Sequence, residues 1–349
     1  NDYPISWWNK IIRLGHDIKL HPQRYSHACV GKIMATLFYE PSTRTQMSFQ
    51  SAMIRLGGNI IGFDNPSTSS VSKGESLKDT TKIVSSYSDI LIIRHPQPGA
   101  AKAAALTADC SVVNAGDGGH LHPTQTLTDL LTLHEEKGRL DNLNVGLCGD
   151  LVNGRTVHSL CKALSAYSGN TFVLVSTPNL RLPSYVKDII TASGSRYTEV
   201  SSLDEVINDL DMLYMTRIQR ERFASEAEYL AEKDTYVLDK KKLKKSRRDM
   251  IVMHPMPRVD EISVDVDEDE RAVYFKQAKY GMYVRMALIM TLLESGSPTN
   301  LLKGAVRNGI GCQNPVCITN SEQYLPKSFY GAGDTLECEY CDERILLEH

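Results

Sequence analysis

Phe38-Tyr-Glu-Pro-Ser-Thr-Arg-Thr-Gln-Met-Ser-Phe49 is the stretch on which the reading of this chain turns. The apolar run that leads into it, 33–39, has the length and character of a buried strand. Pro41 stops the strand. Phe49, Ala52, Met53 and Leu56 then mark the apolar stripe of an amphipathic helix that begins at Ser42 or Thr43. Thr43 and Gln46 stand at capping-box spacing. The first turn of a helix carries N–H groups without intrahelical partners, so an anion is favoured there. Ser or Thr at such a place is commonly a plain cap. Ser42-Thr43-Arg44-Thr45 puts three hydroxyls and a guanidinium into four consecutive residues, the chemistry of a phosphate cradle.

Outward from this stretch the strand–helix alternation continues to about residue 257, as a parallel α/β fold requires. Strands are expected at 33–39, 60–63, 90–93, 112–114, 145–148, 172–175, 212–215 and 251–253. Eight strands divide more naturally into two Rossmann-like sheets than one. Helices at 124–133 and 280–294 would join the halves. The expected domains are therefore 1–124 (completed by helix 281–298), 125–280, and a small C-terminal β module, 302–349. Ser295-Gly-Ser-Pro-Thr-Asn300 reads as the linker to that module.

The other strand ends repeat the anion theme. Arg94, Arg155 and Arg217 each follow a strand, as Arg44 does. Ligands of open parallel sheets bind beyond the carboxyl ends of the strands, so the four arginines are expected around one cleft that takes a substrate with several anionic groups. His122-Pro-Thr-Gln125, after Gly116-Asp-Gly-Gly119, offers a donor and an amide at a helix start. No Gly-x-Ser-x-Gly, Walker A or Gly-x-Gly-x-x-Gly occurs, which counts against a serine nucleophile, ATP and NAD.

Composition sets the class. With 42% hydrophobic and 23% charged residues over 349, the chain is neither disordered nor collagenous. Its net charge of -3 gives no global pull toward nucleic acid, and the basic run 240–248 lacks aromatic partners. No apolar run is long enough to span a bilayer and no secretory leader is read, so a cytoplasmic protein is expected. Of eight cysteines, Cys29, Cys110, Cys148 and Cys161 sit in apolar surroundings as small hydrophobes. Cys312, Cys317, Cys338 and Cys341 form two close pairs separated by twenty residues, the spacing of a tetrahedral structural Zn²⁺ site. Two disulfides are the alternative, which nothing else in the chain favours.

Phe38 to Phe49, Arg94-His-Pro96, His122-Pro-Thr-Gln125, Arg155-Thr-Val-His158, Arg217-Ile-Gln219 and His254-Pro-Met-Pro-Arg258, in this order, closely resemble the catalytic chain of the aspartate carbamoyltransferases over residues 1–298. The cysteine module, with Asn314-Pro-Val-Cys317-Ile-Thr-Asn320, resembles the zinc domain of the separate regulatory chain in that family, fused here. The regulatory nucleotide-binding domain is not evident. The resemblance implies transfer of a carbamoyl group from carbamoyl phosphate to L-aspartate, without an organic cofactor. By motif, Ser42, Thr43, Arg44, Thr45 and Arg94 would hold the phosphate. Thr45, Arg94 and His122 would contact the carbamoyl oxygen, and Gln125 with the carbonyls of Met256 and Pro257 the carbamoyl nitrogen. Arg155, Arg217 and Gln219 would bind aspartate. The family usually has Leu at the place of Met256.

Ser69-Ser-Val-Ser-Lys73-Gly-Glu75 resembles a loop that reaches into the neighbouring subunit's site, so Ser69 and Lys73 would complete a partner's phosphate and aspartate contacts in a homotrimer with shared active sites. The zinc module would support higher assembly. Residues 222–233 fall where the family has a loop that closes on aspartate, and the sequence diverges there. An ornithine carbamoyltransferase is disfavoured, because that family has His-Cys-Leu-Pro where this chain reads His254-Pro-Met-Pro257. A zinc-dependent interaction module leaves the Arg/Ser/Thr residues unexplained.

Overall fold

The computed structural model describes residues 4–220, 223, 225–232, 235–296, 302–331 and 335–346. The linker expected at 295–300 lies mostly outside these residues, as does part of 222–233. The chain divides into two compact units. One joins Arg13–Thr124 to Met282–His349; the other joins Asn1–Ile12 to Gln125–Gly281.

After helix α1 (Ile5–Leu20), the first unit winds through β1 (Ile33–Phe38), α2 (Thr43–Arg55), β2 (Asn59–Phe63), α3 (Leu77–Tyr87), β3 (Ile90–His95), α4 (Ala100–Ala105) and β4 (Ser111–Asp117). Its strands pair in parallel in the order β2-β1-β3-β4. The run from β1 to β2 goes one way across the sheet and β3 lies on the other side of β1. The topological switch point therefore falls between β1 and β3, where a ligand crevice opens beyond the strand ends. Thr36, Leu37 and Ile90 to Ile93 are buried, because helices cover both faces of a parallel sheet.

The second unit is built from most of α5 (Pro123–Lys137), then β5 (Asn144–Cys148), α6 (Arg155–Leu164), β6 (Thr171–Val175), α7 (Ser184–Ala192), β7 (Arg196–Val200), β8 (Met212–Met215), α8 (Glu226–Glu232), α9 (Lys240–Leu243) and β9 (Ile251–Met253). The strand order β7-β6-β5-β8-β9 places the switch point between β5 and β8. The edge strand β7 was not expected from sequence. Its Arg-Tyr-Thr-Glu run is exposed and lacks the apolar alternation that marks a half-buried strand. Two cations of the basic run 240–248 pair with carboxylates: Lys245 with Asp204 at 3.1 Å, and Arg247 with Asp249 at 2.9 Å and with Asp211 at 3.4 Å.

Helix α10 (Tyr274–Ser295) starts six residues before the apolar stripe that announced it at 280. Its first turn is anchored by Tyr274, which is buried with its ring 5.4 Å from the Arg258 guanidinium. Further along, Arg285 lies over the Phe49 ring at 5.1 Å, tying the return helix to α2 within the first unit. No described helix is long and apolar enough to cross a membrane.

The C-terminal module contains β10 (Ala305–Val306), α11 (Ile318–Ser321), β11 (Ser328–Tyr330), β12 (Thr335–Cys338) and β13 (Arg344–Leu346), an antiparallel sheet in sequence order. It shares one apolar core with the first unit: Leu325, Phe329, Leu336 and Tyr340 pack with Leu91, Ile93 and the alanines of α4. The small side chains of Ala100-Ala-Lys-Ala-Ala-Ala105 let the module approach closely.

Candidate active site

In the first unit the crevice residues come from the ends of β1, β3 and β4. Tyr39 N–H donates to the Arg94 carbonyl at 2.8 Å, which holds the two strand ends together past the last sheet pair. Ser42 occupies the N-cap position with extended φ of -158°, and the first helical bond is Gln46 N–H to the Ser42 carbonyl at 3.0 Å. The capping box expected from Thr43 and Gln46 is not formed. Helix α2 starts one residue earlier than that motif needs, and the Ser42 side chain makes no capping bond. The cradle is therefore a set of first-turn N–H groups with hydroxyls at their rim, Thr45 buried and Thr43 exposed.

Arg94 lies beside it, with Nη2 2.6 Å from Glu40 and Nη1 donating to the Ala115 carbonyl at 3.2 Å. Its buried Nε has no partner among the described residues. Burial lowers the Arg94 pKa, although Glu40 opposes this. Arg44 is lowered by partial desolvation and then by the like charge of Arg94, a repulsion that a bound anion would relieve. Gly116, at φ 122°, makes room for this: a Cβ there would stand 2.7 Å from Arg94 Nη1. His122 is buried, with Nδ1 3.3 Å from Thr124 Oγ1. Ser69 and Lys73 lie on the loop before α3, Lys73 exposed, and no described hydrogen bond joins either to Arg44, Arg94 or His122.

In the second unit Asp150, fully buried after β5, accepts from Asn153 N–H at 3.0 Å and from Gln219 N–H at 3.4 Å. Gln219 Nε2 in turn donates to the Asn153 carbonyl at 3.1 Å. These bonds stitch the β5 and β8 loops together, so Arg155 at the start of α6 and Arg217 and Gln219 after β8 flank one switch point. The loop after β9 is also pinned. His254 Nδ1 accepts from Met256 N–H at 2.8 Å, which puts the ring proton on Nε2, bonded to Glu261 at 2.7 Å. Burial pushes the Glu261 carboxyl up, but the His254 bond and backbone N–H groups hold it below its ordinary range. Met256 has φ 53° and precedes a cis Pro257. Gln125 sits on α5, with Nε2 donating to Asp129 at 2.8 Å.

Each residue expected from sequence thus falls in one of two groups. Ser42, Thr43, Arg44, Thr45, Arg94 and His122 belong to the first unit; Gln125, Arg155, Arg217, Gln219, Met256 and Pro257 belong to the second. Sequence reasoning missed Glu40, Asp129 and Asp150, which position others. Only Asp129 carried a local signal, its i,i+4 spacing from Gln125 on a helix.

The four C-terminal cysteines converge. Their sulfurs lie within 4.8 Å of one another and all four residues are buried; Cys312 and Cys341 are 3.5 Å apart, Cys317 and Cys338 3.9 Å. A tetrahedral zinc with bonds of about 2.3 Å needs sulfur edges of about 3.8 Å, so the donor set fits.

Two parallel sheets whose switch points both present arginines suit a substrate with several anionic groups, and comparison with known proteins identifies the class as the carbamoyltransferases. The aspartate/ornithine carbamoyltransferase carbamoyl-P binding domain matches residues 1–135, and the Asp/Orn binding domain of the same family matches 141–292. The metal binding domain of the aspartate carbamoyltransferase regulatory chain matches 304–348. The aspartate carbamoyltransferase catalytic subunit of Clostridium perfringens is 58% identical over 84% of this chain and 96% of its own. Among solved structures, the catalytic subunit of M. jannaschii aspartate transcarbamoylase aligns with a TM-score of 0.80 at 44% identity, over 84% of this chain and 96% of that one. The Trypanosoma cruzi aspartate transcarbamoylase in complex with carbamoyl phosphate and aspartate aligns at 0.78 and 39%, over 83% and 94%. The chain belongs to the aspartate/ornithine carbamoyltransferase family, on its aspartate carbamoyltransferase branch, and carries a regulatory-chain metal-binding domain in the same polypeptide.

Proposed function

We propose that this chain transfers the carbamoyl group of carbamoyl phosphate to the amine of L-aspartate, giving N-carbamoyl-L-aspartate and phosphate, in de novo pyrimidine biosynthesis in the cytoplasm. The observation that carries the reading is the pair of switch points, one lined by Ser42–Thr45 and Arg94, the other by Arg155, Arg217 and Gln219.

Ser42, Thr43, Arg44, Thr45 and Arg94 hold the phosphate. The amine of aspartate attacks the carbamoyl carbon, and negative charge grows on the carbamoyl oxygen. Thr45, Arg94 and His122 donate to that oxygen and stabilise it. Gln125 and the carbonyls of Met256 and Pro257 accept from the carbamoyl nitrogen. The bond from carbon to the phosphate oxygen then breaks, and the phosphate leaves with the amine proton. Arg155, Arg217 and Gln219 hold the two carboxylates of aspartate. Guanidinium forks match carboxylates and repel a cationic side chain, which favours aspartate over ornithine. Holding both substrates in register accounts for much of the rate, about 7–11 kcal/mol in well-oriented systems.

A homotrimer completes the site, with Ser69 and Lys73 of one subunit serving the next. In support, Lys73 is exposed, and Val30, Met47, Ile54 and Ile61 leave apolar surface on the same unit for a partner to cover. Zn²⁺ on Cys312, Cys317, Cys338 and Cys341 holds together the short strands of the C-terminal module, which among the described residues has no core apart from the one it shares with the first unit.

The test is a carbamoyl-transfer assay with L-aspartate and with L-ornithine, on the wild type and on mixed Arg44→Ala and Lys73→Ala chains. Aspartate-dependent turnover, lost in each variant and partly recovered on mixing, is expected. Turnover with ornithine alone, or none with either amine, refutes the reaction; no recovery after proven subunit exchange refutes the shared site.

A further inference from the structure

Asp129 lies on α5 with no exposed surface and holds three side chains at once. Its Oδ1 accepts from Gln125 Nε2 at 2.8 Å and from Gln277 Nε2 at 2.7 Å, and its Oδ2 accepts from the Tyr214 hydroxyl at 3.0 Å. Gln277 and Tyr214 are buried as well. The Gln277 carbonyl Oε1 accepts from the His254 backbone N–H at 2.9 Å. All five residues belong to the second unit.

The direction of every bond in this chain follows from one end. A backbone N–H can only donate, so Gln277 must turn Oε1 to His254 and Nε2 to Asp129. Asp129 Oδ1 is thereby an acceptor. Gln125 must then also present Nε2 to it, which leaves Gln125 Oε1 directed away from Asp129 as an acceptor. The same Gln277 bond tethers His254, whose Nδ1 fixes Met256 N–H and with it the backbone carbonyls of Met256 and Pro257.

We infer that Asp129 is a positioning and specificity-determining residue: it orients Gln125 as an acceptor and, through Gln277, holds in place the 254–257 loop whose backbone carbonyls accept, so that the site selects a carbamoyl amine over a group that cannot donate. The inference rests on the reading of Gln125, Met256 and Pro257 as carbamoyl-nitrogen partners. An acetyl group has the shape of a carbamoyl group with a methyl in place of the amine. Gln125 and Met256 are half-buried and Pro257 is exposed in this structure. Acceptors that a bound substrate covers and leaves facing that methyl lose their water partners without replacement, so a site that bonds an N–H rejects the analogue that lacks it.

The experiment compares KM and kcat for carbamoyl phosphate with the inhibition constants of acetyl phosphate and inorganic phosphate, in the wild type and in Asp129→Leu, Asp129→Asn and Gln277→Leu. Asn keeps Oδ1 for both glutamines and can offer its amide to Tyr214, so Asp129→Asn should stay within about threefold of wild type. Asp129→Leu should raise KM for carbamoyl phosphate about tenfold or more, with both inhibition constants within about threefold, because neither probe carries the amine. Gln277→Leu, which leaves the Gln125 bond intact, should move the ratio of carbamoyl to acetyl phosphate affinity part of that way. Circular dichroism and gel filtration show whether Asp129→Leu folds; if it does not, Gln277→Leu decides.

An unmoved ratio in the folded variants overturns the inference, as does an Asn variant that loses as much as Leu. A wild type that does not carbamoylate aspartate refutes instead the functional reading beneath it.

Discussion

Gly99 reports on how the metal-binding module sits on the first unit. It is the N-cap of α4 at φ 85°, and its N–H donates to Asp117 at 2.8 Å. A Cβ there would meet Tyr340 of the module 2.6 Å from Cβ and 2.8 Å from the carbonyl oxygen. Neither atom is the free end of a side chain, so the overlap is relieved only by moving the module. Gly31 supplies the control: it has nearly the same backbone, φ 78°, with nothing within 4 Å. Gly31→Ala therefore costs only the left-handed strain, about 1–2 kcal/mol. Gly99→Ala costs that plus an overpacking penalty of about 1–3 kcal/mol. At roughly 2–4 °C per kcal/mol for a unit of this size, Gly99→Ala should melt several degrees below Gly31→Ala. The assay is calorimetry of the metal-loaded chain, paired with the rate of metal transfer to a colorimetric chelator. Metal loss should quicken about fivefold to hundredfold in Gly99→Ala and little in Gly31→Ala, each 1.4 kcal/mol being tenfold. Equal melting shifts and equal metal loss in the two variants would refute the docked arrangement.

Other outcomes follow from particular contacts. Gly116→Ala places a Cβ 2.7 Å from Arg94 Nη1, and displacing that guanidinium should lower kcat/KM for carbamoyl phosphate about a hundredfold in steady-state assays. His120 bridges Asp117 and Asp342 at 3.0 Å each; against the pull of burial, those bonds raise its pKa to about 9 from 6.5. The raised value means that its contribution is whole below about pH 6.5 and is lost as pH climbs through 9. That contribution is about 2–3 kcal/mol at most, since half-exposed Asp342 is screened. Thermal stability scanned from pH 6 to 10 should show the step, and Asp342→Asn should move it to lower pH. Glu339, held to about pH 2 despite burial, accepts from Lys303 N–H at 2.8 Å, Gly304 N–H at 2.9 Å and Ser328 at 2.7 Å. Glu339→Gln turns an amide N–H toward those donors and should cost about 1–3 kcal/mol, read from the urea midpoint of the metal-loaded chain.

Much of the fold was legible because it is written in local pattern. The strands β1, β3, β5, β6, β8 and β9 are short apolar runs, and a strand buried on both faces has no other way to read. β7 escaped because an edge strand can be polar throughout. The first turn of α10 escaped because Tyr274 is fixed from outside the helix, its hydroxyl accepting from Arg258 and donating to Asp267. The capping-box spacing at Thr43 misled, since whether a hydroxyl caps depends on where the chain leaves the sheet. Pro41 and the pairing of Tyr39 with Arg94 set that point.

The sequence alone determined the residue types at each strand end, the four cysteines at metal spacing and the two-sheet organisation. These depend on side-chain chemistry and on periods of a few residues. Only the tertiary structure decided the strand order, and strand order decides function here: β3 beside β1 and β8 beside β5 create the two switch points. It also decided the partners of Arg94, the acceptor sense that Asp129 imposes on Gln125, and the resting place of the module against Gly99. Each of these joins residues from about twenty to more than two hundred positions apart, or depends on such a join. Loop closure over such spans is fixed by the packing of the whole core, and a local pattern carries no record of it.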